Sequence, residues 1–229
     1  MEARTLHSWD VGAQEALAIQ ERLRVQVCIA PLRAAPHLVA GTDVAYSVTT
    51  RRLYAAVVVV ALPDLSVVDR AEATGEASFP YVPGLFAFRE LPSLLDALGA
   101  LRREPDAILF DGHGIAHPRG FGLASHAGVL LDRPTVGCAK SRLVGEHGEV
   151  GRERGAYADV RWHGQVVGAA LRTQHDIEPV YVSPGHLMDV ASAIGLVLTT
   201  TRRCRLPEPI RLAHQATTAT RRRNEGPRG

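Results

Sequence analysis

The sequence predicts an α/β protein built on one mixed sheet, three antiparallel strands followed by parallel strands, flanked by helices. Three observations carry that expectation. Segments 37–47, 53–62 and 66–76 are strand-like and joined by short links, as in an antiparallel meander. Between 91 and 141, helical and apolar extended segments alternate, as they do where parallel strands are buried between crossover helices. At 229 residues and 46% hydrophobic content, the chain is long enough to bury one core of ordinary domain size.

The elements follow in order. Over 10–27, Ala13, Ala16, Leu17, Leu23 and Val27 recur on one helical face. "HLVAGTDVAYS", "LYAAVVVVAL" and "SVVDRAEATGE" form the meander, with "PDL" turning between the second and third. "LPSLLDALGALRRE" (91–104) is amphipathic and helical, and the apolar strand "DAILFDG" carries Asp111 near its end. A helix at 121–132 and a strand at 134–141 complete a βαβ-like unit. Further strands are expected at 165–173 and 179–185. "SPGH" (183–186) reads as the entry turn of a long helix that reaches Thr201, with His186 structural. This order is that of a ribonuclease-H-like mixed sheet, although element order alone leaves doubly wound arrangements open.

Composition narrows the class. No apolar run approaches the roughly eighteen residues of a membrane span, and "MEARTLHSWD" is acidic and polar where a secretion signal would be basic and then apolar. A soluble, cytoplasmic monomer is expected. Cys28, Cys138 and Cys204 are odd in number and lack any CxxC spacing, which argues against a disulfide framework and structural zinc. Cys138 reads as buried core. Net charge is only +2, yet "TRRRNEGPRG" holds four arginines against one glutamate. Residues 216–229 are therefore expected to be a basic, disordered tail beyond a single domain over 1–215, with an auxiliary phosphate-binding arm as the other reading. Of 26 basic residues only Lys140 is a lysine, which singles it out.

Three acids stand where burial makes an acid costly. Asp43 lies inside "LVAGTDVAYS", Glu90 follows "LFAFR", and Asp111 closes "AILF". Taken singly, each is explained by a strand-end cap or a salt bridge. Taken together, with His117, His126 and Lys140 near in sequence, they point to a metal-dependent active site. If the first meander strand neighbours the first parallel strand, Asp43 and Asp111 face each other, and a hard divalent cation would relieve their repulsion. Oxygen ligands select Mg²⁺, with Mn²⁺ as the alternative. Such a site suits phosphodiester cleavage.

Two glycine-rich loops accompany the acids. "DGHGIAHPRGFGLASHAGVLL" (111–131) packs three histidines and five glycines behind Asp111. "SFPYVPGLFAFRE" (78–90) holds Tyr81 between Pro80 and Pro83, a stiff loop whose ring suits stacking on a base, while Phe88 reads as core. Glycines let a ligand approach the backbone.

The blocks "GTDVAYS", "YVPGLFAFRE", "DGHGIAHPRGFGLASHAGVLLDRPTVGCAKSRL" and "YVSPGHLMDVASAIGLV" resemble those of endonuclease V, the deoxyinosine-specific repair nuclease, and the likeness spans about 37–214. The resemblance implies a ribonuclease-H-like fold and Mg²⁺ dependence. It also implies DNA containing deoxyinosine as partner, nicked at the second phosphodiester bond 3′ of hypoxanthine to leave 3′-hydroxyl and 5′-phosphate ends. Some members also cut inosine-containing RNA. By position, Asp43, Asp111 and Glu90 match the metal-site acids and Lys140 the lysine near the scissile phosphate. His214 in "PEPIRLAHQ" matches a position near the metal. Tyr81 matches the wedge tyrosine of the "PYVPG" loop with Pro83. Gly84, Phe86, Gly112 and Gly114 fall in blocks that line the base pocket, His117 and His126 match histidines close to it, and Arg89 matches beside Glu90. Two other readings stay open: an inosine-specific endoribonuclease on the same fold, and a non-catalytic lesion-binding module. The role of His113 is undecided.

Overall fold

The computed structural model describes residues 1–47 and 49–226. Strands β1 (Leu38–Tyr46), β2 (Arg52–Ala61) and β3 (Ser66–Glu76) form the expected meander. Strands β4 (Ala107–Phe110) and β5 (Thr135–Ala139) add to β1 in parallel, joined by helix α3 (Leu123–Leu131). Beyond them β6 (Tyr157–Trp162), β7 (Gln165–Leu171) and β8 (Val180–His186) run antiparallel to their neighbours, giving the order β3-β2-β1-β4-β5-β8-β7-β6. Antiparallel wings thus flank a parallel centre of β1, β4 and β5.

Side-chain parity sorts the core onto two faces. Val39, Leu109, Val136 and Cys138 pack against α4 (Val190–Thr199) and α5 (Glu208–Glu225). Ala40, Val57, Val59, Ile108 and Phe110 pack against α2 (Phe86–Gly99) and α3. Helix α1 (Ala13–Leu23) lies outside this layer, closing Phe79, Leu85, Phe88 and Phe121 into a further apolar cluster. Phe88 is fully buried, as expected.

Several boundaries differ from the sequence reading. Helix α1 stops at Leu23 and gives way to a 3-10 turn at Arg24–Gln26, where Val25 is exposed. Helix α2 begins five residues before the expected 91, so Pro92 sits inside it and Arg89 and Glu90 become helical. "SPGH" is strand β8, not an entry turn; α4 starts later, with Asp189 capping the Ser192 amide at 2.7 Å. His186 is structural: its Nδ1 accepts from the Cys28 amide at 3.1 Å. Strand β6 was not expected: its alternation is short, with only Ala158, Val160 and Trp162 turned toward the core and Asp159 and Arg161 between them.

The largest correction concerns the tail. Residues 216–225 continue α5 and are not disordered; residues 227–229 lie outside the described residues. Ile210, Ala213, Thr217 and Thr220 recur at three- and four-residue spacing and are buried against β1 and β2. The helix comes so near β1 that a Cβ on Gly41 would lie 2.2 Å from the Pro209 carbonyl carbon. Hydroxyls then fasten it: Thr217 donates to Asp43, Thr220 to Glu72, and Tyr54 to Glu225. The apolar stripe is made of small residues and threonines, so it reads as polar in sequence.

Among the described residues no helix is long and apolar enough to cross a membrane.

Candidate active site

The centre lies at the C-terminal ends of the three parallel strands. Thr42 of β1 is paired with Phe110 of β4, so the next residues on each strand, Asp43 and Asp111, are neighbours. Both follow the parity that faces α5, as does Lys140 just past β5. The Lys140 ammonium binds Asp111 Oδ2 at 2.6 Å. Asp43, only 8% exposed, accepts from the Thr217 hydroxyl, and His214 Nδ1 lies 3.3 Å from the same Oδ2. Glu90 enters from α2, on the other face, and accepts from the Tyr46 phenol. Asp43, Glu90 and Asp111 line one cleft of about 220 Å³.

Burial and repulsion set the electrostatics. Burial pushes the Asp43 carboxyl up, the Thr217 hydroxyl and His214 oppose it, and Asp111 adds to it. Glu90 is pushed up to about 7, first by burial, against the Tyr46 hydrogen bond, and then by Asp111 and Asp43. Burial and neighbouring negative charge thus disfavour the anions of Asp43 and Glu90, and carboxylate oxygens are the donor type that suits a hard divalent cation such as Mg²⁺. Among the described residues no three His, Cys, Asp or Glu side chains converge as a ligand set; Tyr46, Thr217 and Lys140 each hold one carboxylate. Asp43 and Asp111, on adjacent strands, are the pair that could hold an ion, with Glu90 lining the same cleft.

A second cavity, of about 200 Å³, adjoins the cleft and shares Glu90, Asp111 and Leu123 with it. Its wall is built on Gly84, at φ +78°, where a side chain would be strained and its Cβ would sit 2.7 Å from Arg119 Nη2. The Gly84 carbonyl accepts from Gln20 Nε2 at 3.0 Å, His117 Nε2 at 3.0 Å and Arg119 Nη2 at 2.8 Å. His117 Nδ1 accepts from the Arg119 amide at 3.2 Å, which assigns the Nε2–H tautomer. Burial, then Arg119, pushes His117 down to about 4; burial does the same to His113, so both are neutral at physiological pH. His113 Nδ1 is buried without a partner among the described residues. Tyr81 is 69% exposed beside the cavity, its ring 4.9 Å from that of Phe86 in the wall.

The structure therefore brings together Asp43, Glu90, Asp111, Lys140 and His214, and sets Gly84, Phe86, Gly112 and His117 around the adjoining cavity. Tyr81 and Pro83 form an exposed tip beside it. Three expected residues stand elsewhere. His126 is not in either cavity wall: it is fully buried among Trp9, Phe88 and Phe121, with its Nε2 2.7 Å from that of His7. Gly114 is buried behind the cavity, its amide donating to Ser183 Oγ at 2.7 Å. Arg89 makes no ion pair with Glu90 and donates instead to the Phe79 carbonyl at 2.8 Å. Sequence reasoning missed Gln20, Ser141, Arg142 and Leu143 in the cavity wall and Thr217 at Asp43. Gln20 carried a signal: an amide on the apolar face of α1, beside Ala16, Ile19 and Leu23.

The endonuclease V family model matches residues 21–215. Endonuclease V of Methanothrix thermoacetophila is 49% identical over 214 residues, covering 93% of this chain and 94% of that protein. The crystal structure of endonuclease V from Streptomyces avermitilis matches with a TM-score of 0.91 at 42% identity, covering 98% of this chain and 99% of the other. That of Ciona intestinalis endonuclease V, in complex with a 24-mer DNA containing an inosine followed by a ribo-adenosine, matches with a TM-score of 0.81 at 27% identity, covering 93% and 98%.

Proposed function

Because the chain belongs to the endonuclease V family, and is thus a nuclease, we propose that it is a metal-dependent DNA repair enzyme that recognises hypoxanthine in DNA. It nicks the second phosphodiester bond 3′ of the lesion, leaving 3′-hydroxyl and 5′-phosphate ends, and works as a cytoplasmic monomer. The observation that carries this reading is the pairing of two cavities that share Glu90 and Asp111, one lined by three acids and the other extended by Gly84, Phe86, Gly112, His113 and His117. The complex of the Ciona relative with inosine-containing DNA supports the substrate class.

Mg²⁺ or Mn²⁺, held by Asp43 and Asp111 with Glu90 in the same cleft, would polarise the scissile phosphate and acidify the attacking water. The protein groups do the rest. Lys140 neutralises a phosphate oxygen beside Asp111. His214, whose Nδ1 lies 3.3 Å from Asp43 Oδ2, turns its other ring nitrogen to take the proton of the attacking water. The P–O3′ bond breaks as the new P–O bond forms, and the departing 3′-oxygen takes a proton from solvent water while the proton abstracted by His214 returns to solvent.

Base recognition falls to groups with free bonding capacity. The Gly84 carbonyl is already engaged by Gln20, His117 and Arg119, so its part is to fix the loop. Hypoxanthine offers an acceptor at O6 and a donor at N1, the reverse of adenine, so a rigid wall with neutral imidazoles at His113 and His117 discriminates by leaving adenine's groups unpaired. Tyr81 fills the space that the extruded base vacates.

A duplex with one deoxyinosine, incubated with and without Mg²⁺ and mapped at nucleotide resolution, tests the reading. Incision one nucleotide beyond the lesion's 3′ neighbour bond, only with the ion, is expected. An inosine-containing RNA run in parallel distinguishes the endoribonuclease, and binding without incision of either strand would leave a lesion-binding module.

A further inference from the structure

Tyr46 is the last residue of β1. Even-numbered β1 side chains face α2 and α3, as Ala40 does, whereas Asp43 faces α5. Tyr46 therefore reaches the cleft from the α2 side, and its phenol donates to Oε1 of Glu90. The Arg89 guanidinium lies 4.9 Å from the centroid of the Tyr46 ring, in cation–π range. The same guanidinium donates through Nη1 to the carbonyl of Phe79, which is 2% exposed and anchors the loop that presents Tyr81. An unbroken series of contacts thus runs from a carboxylate of the cleft to the loop beside the second cavity.

We propose that Tyr46 is a positioning residue that clamps one oxygen of Glu90 and leaves the other for the cleft, and that Arg89, seated between the Tyr46 ring and the Phe79 carbonyl, couples this clamp to the Tyr81 loop. The phenol O–H is the donor of this bond, and the Glu90 oxygen accepts it. An unclamped glutamate is free to rotate away, and the ordering is then lost from ion binding. Coupling through Arg89 means that a displaced Tyr81 loop moves the group that braces Tyr46. The clamp rests on the metal-dependent reading above; the coupling rests on its substrate assignment as well.

Tyr46→Phe removes one oxygen and keeps the ring under Arg89. In the full chain, without nucleic acid, Mn²⁺ titration followed by electron paramagnetic resonance should show affinity weakened about tenfold, the factor expected for loss of a hydrogen bond to a charged group. Nicking of deoxyinosine DNA at limiting Mn²⁺ should lose kcat with KM unchanged, and saturating Mn²⁺ should restore it. Unchanged Mn²⁺ affinity would overturn the clamp. Arg89→Met should weaken both Mn²⁺ and deoxyinosine DNA binding, and the double variant should lose less Mn²⁺ affinity than the two single losses together. Additive losses, or an effect on DNA alone, would overturn the coupling. If the wild-type chain binds Mn²⁺ but cuts no deoxyinosine DNA, the substrate reading fails while the titration still decides the clamp.

Discussion

The two cavities share Glu90, Asp111 and Leu123 yet differ in what burial has done to them. In the cleft it acts on acids, raising Asp43 and bringing Glu90 to about 7. In the neighbouring cavity it acts on bases, lowering His113 and His117 to about 4. Desolvation drives both kinds of group toward neutrality, but with opposite consequences. Crowded acids create a demand for a cation, whereas neutral imidazoles make a hydrogen-bonding wall suited to an uncharged base. One physical effect, applied to different residue types, yields the two settings that the proposed function assigns to a phosphate with its ion and to a nucleobase.

The comparison breaks most severely at the acids. Asp43→Ala or Asp111→Ala should lower the nicking rate by roughly a thousandfold or more, as loss of a principal electrostatic element does. Melting temperature should change little, since the relieved repulsion is offset by the lost Thr217 bond at Asp43 or the lost Lys140 pair at Asp111. Retained incision in either variant would reject the ion site. Deleting residues 216–229 removes the Thr217 bond to Asp43 and the Thr220 bond to Glu72, and should cost roughly 2–4 kcal/mol in chemical denaturation. A loss within error would return the segment to a dispensable tail.

A pH experiment sharpens the contrast. Glu90's folded value lies above its unfolded one, so protonated Glu90 favours the fold below the ordinary carboxylate range, and that contribution is lost as pH rises through about 7. Glu90→Gln should therefore stabilise the metal-free protein by roughly 1–3 kcal/mol near pH 8 and by little near pH 5, read from denaturation at both. Equal effects at the two pH values would show that Glu90 is not strained by burial. The smallest change is expected at the loop: Tyr81→Ala should weaken deoxyinosine DNA binding by about 1–3 kcal/mol, the worth of a stacked base. The single-turnover rate at saturating enzyme should be largely kept, and a collapse of that rate would place Tyr81 in the chemistry.

Legibility in the sequence followed burial. Asp43, Glu90 and Asp111 announced themselves because acids are anomalous in apolar surroundings, and Lys140 because it is the sole lysine. The meander and the parallel centre were readable from apolar runs and short links. His126 misled because a histidine near a glycine-rich loop looks the same in sequence whether it faces a cavity or an aromatic cluster. The end of α5 was hidden because its buried stripe uses hydroxylated residues whose partners are distant in sequence, as Thr217 is from Asp43, and β6 because only three apolar residues alternate in it. Ser141, Arg142 and Leu143 were missed because chain reversal, not residue type, carries them to the cavity wall.

The dependence of Asp43 on α5 also orders events in time. Asp43 is synthesised early and Thr217, 174 positions later, among the last of the described residues. A polypeptide interrupted before α5 holds the aspartate without the hydroxyl or the imidazole that fixes it. Translation itself therefore withholds the assembled centre until α5 has been made, and a fragment that stops short of that helix carries the acids without their setting.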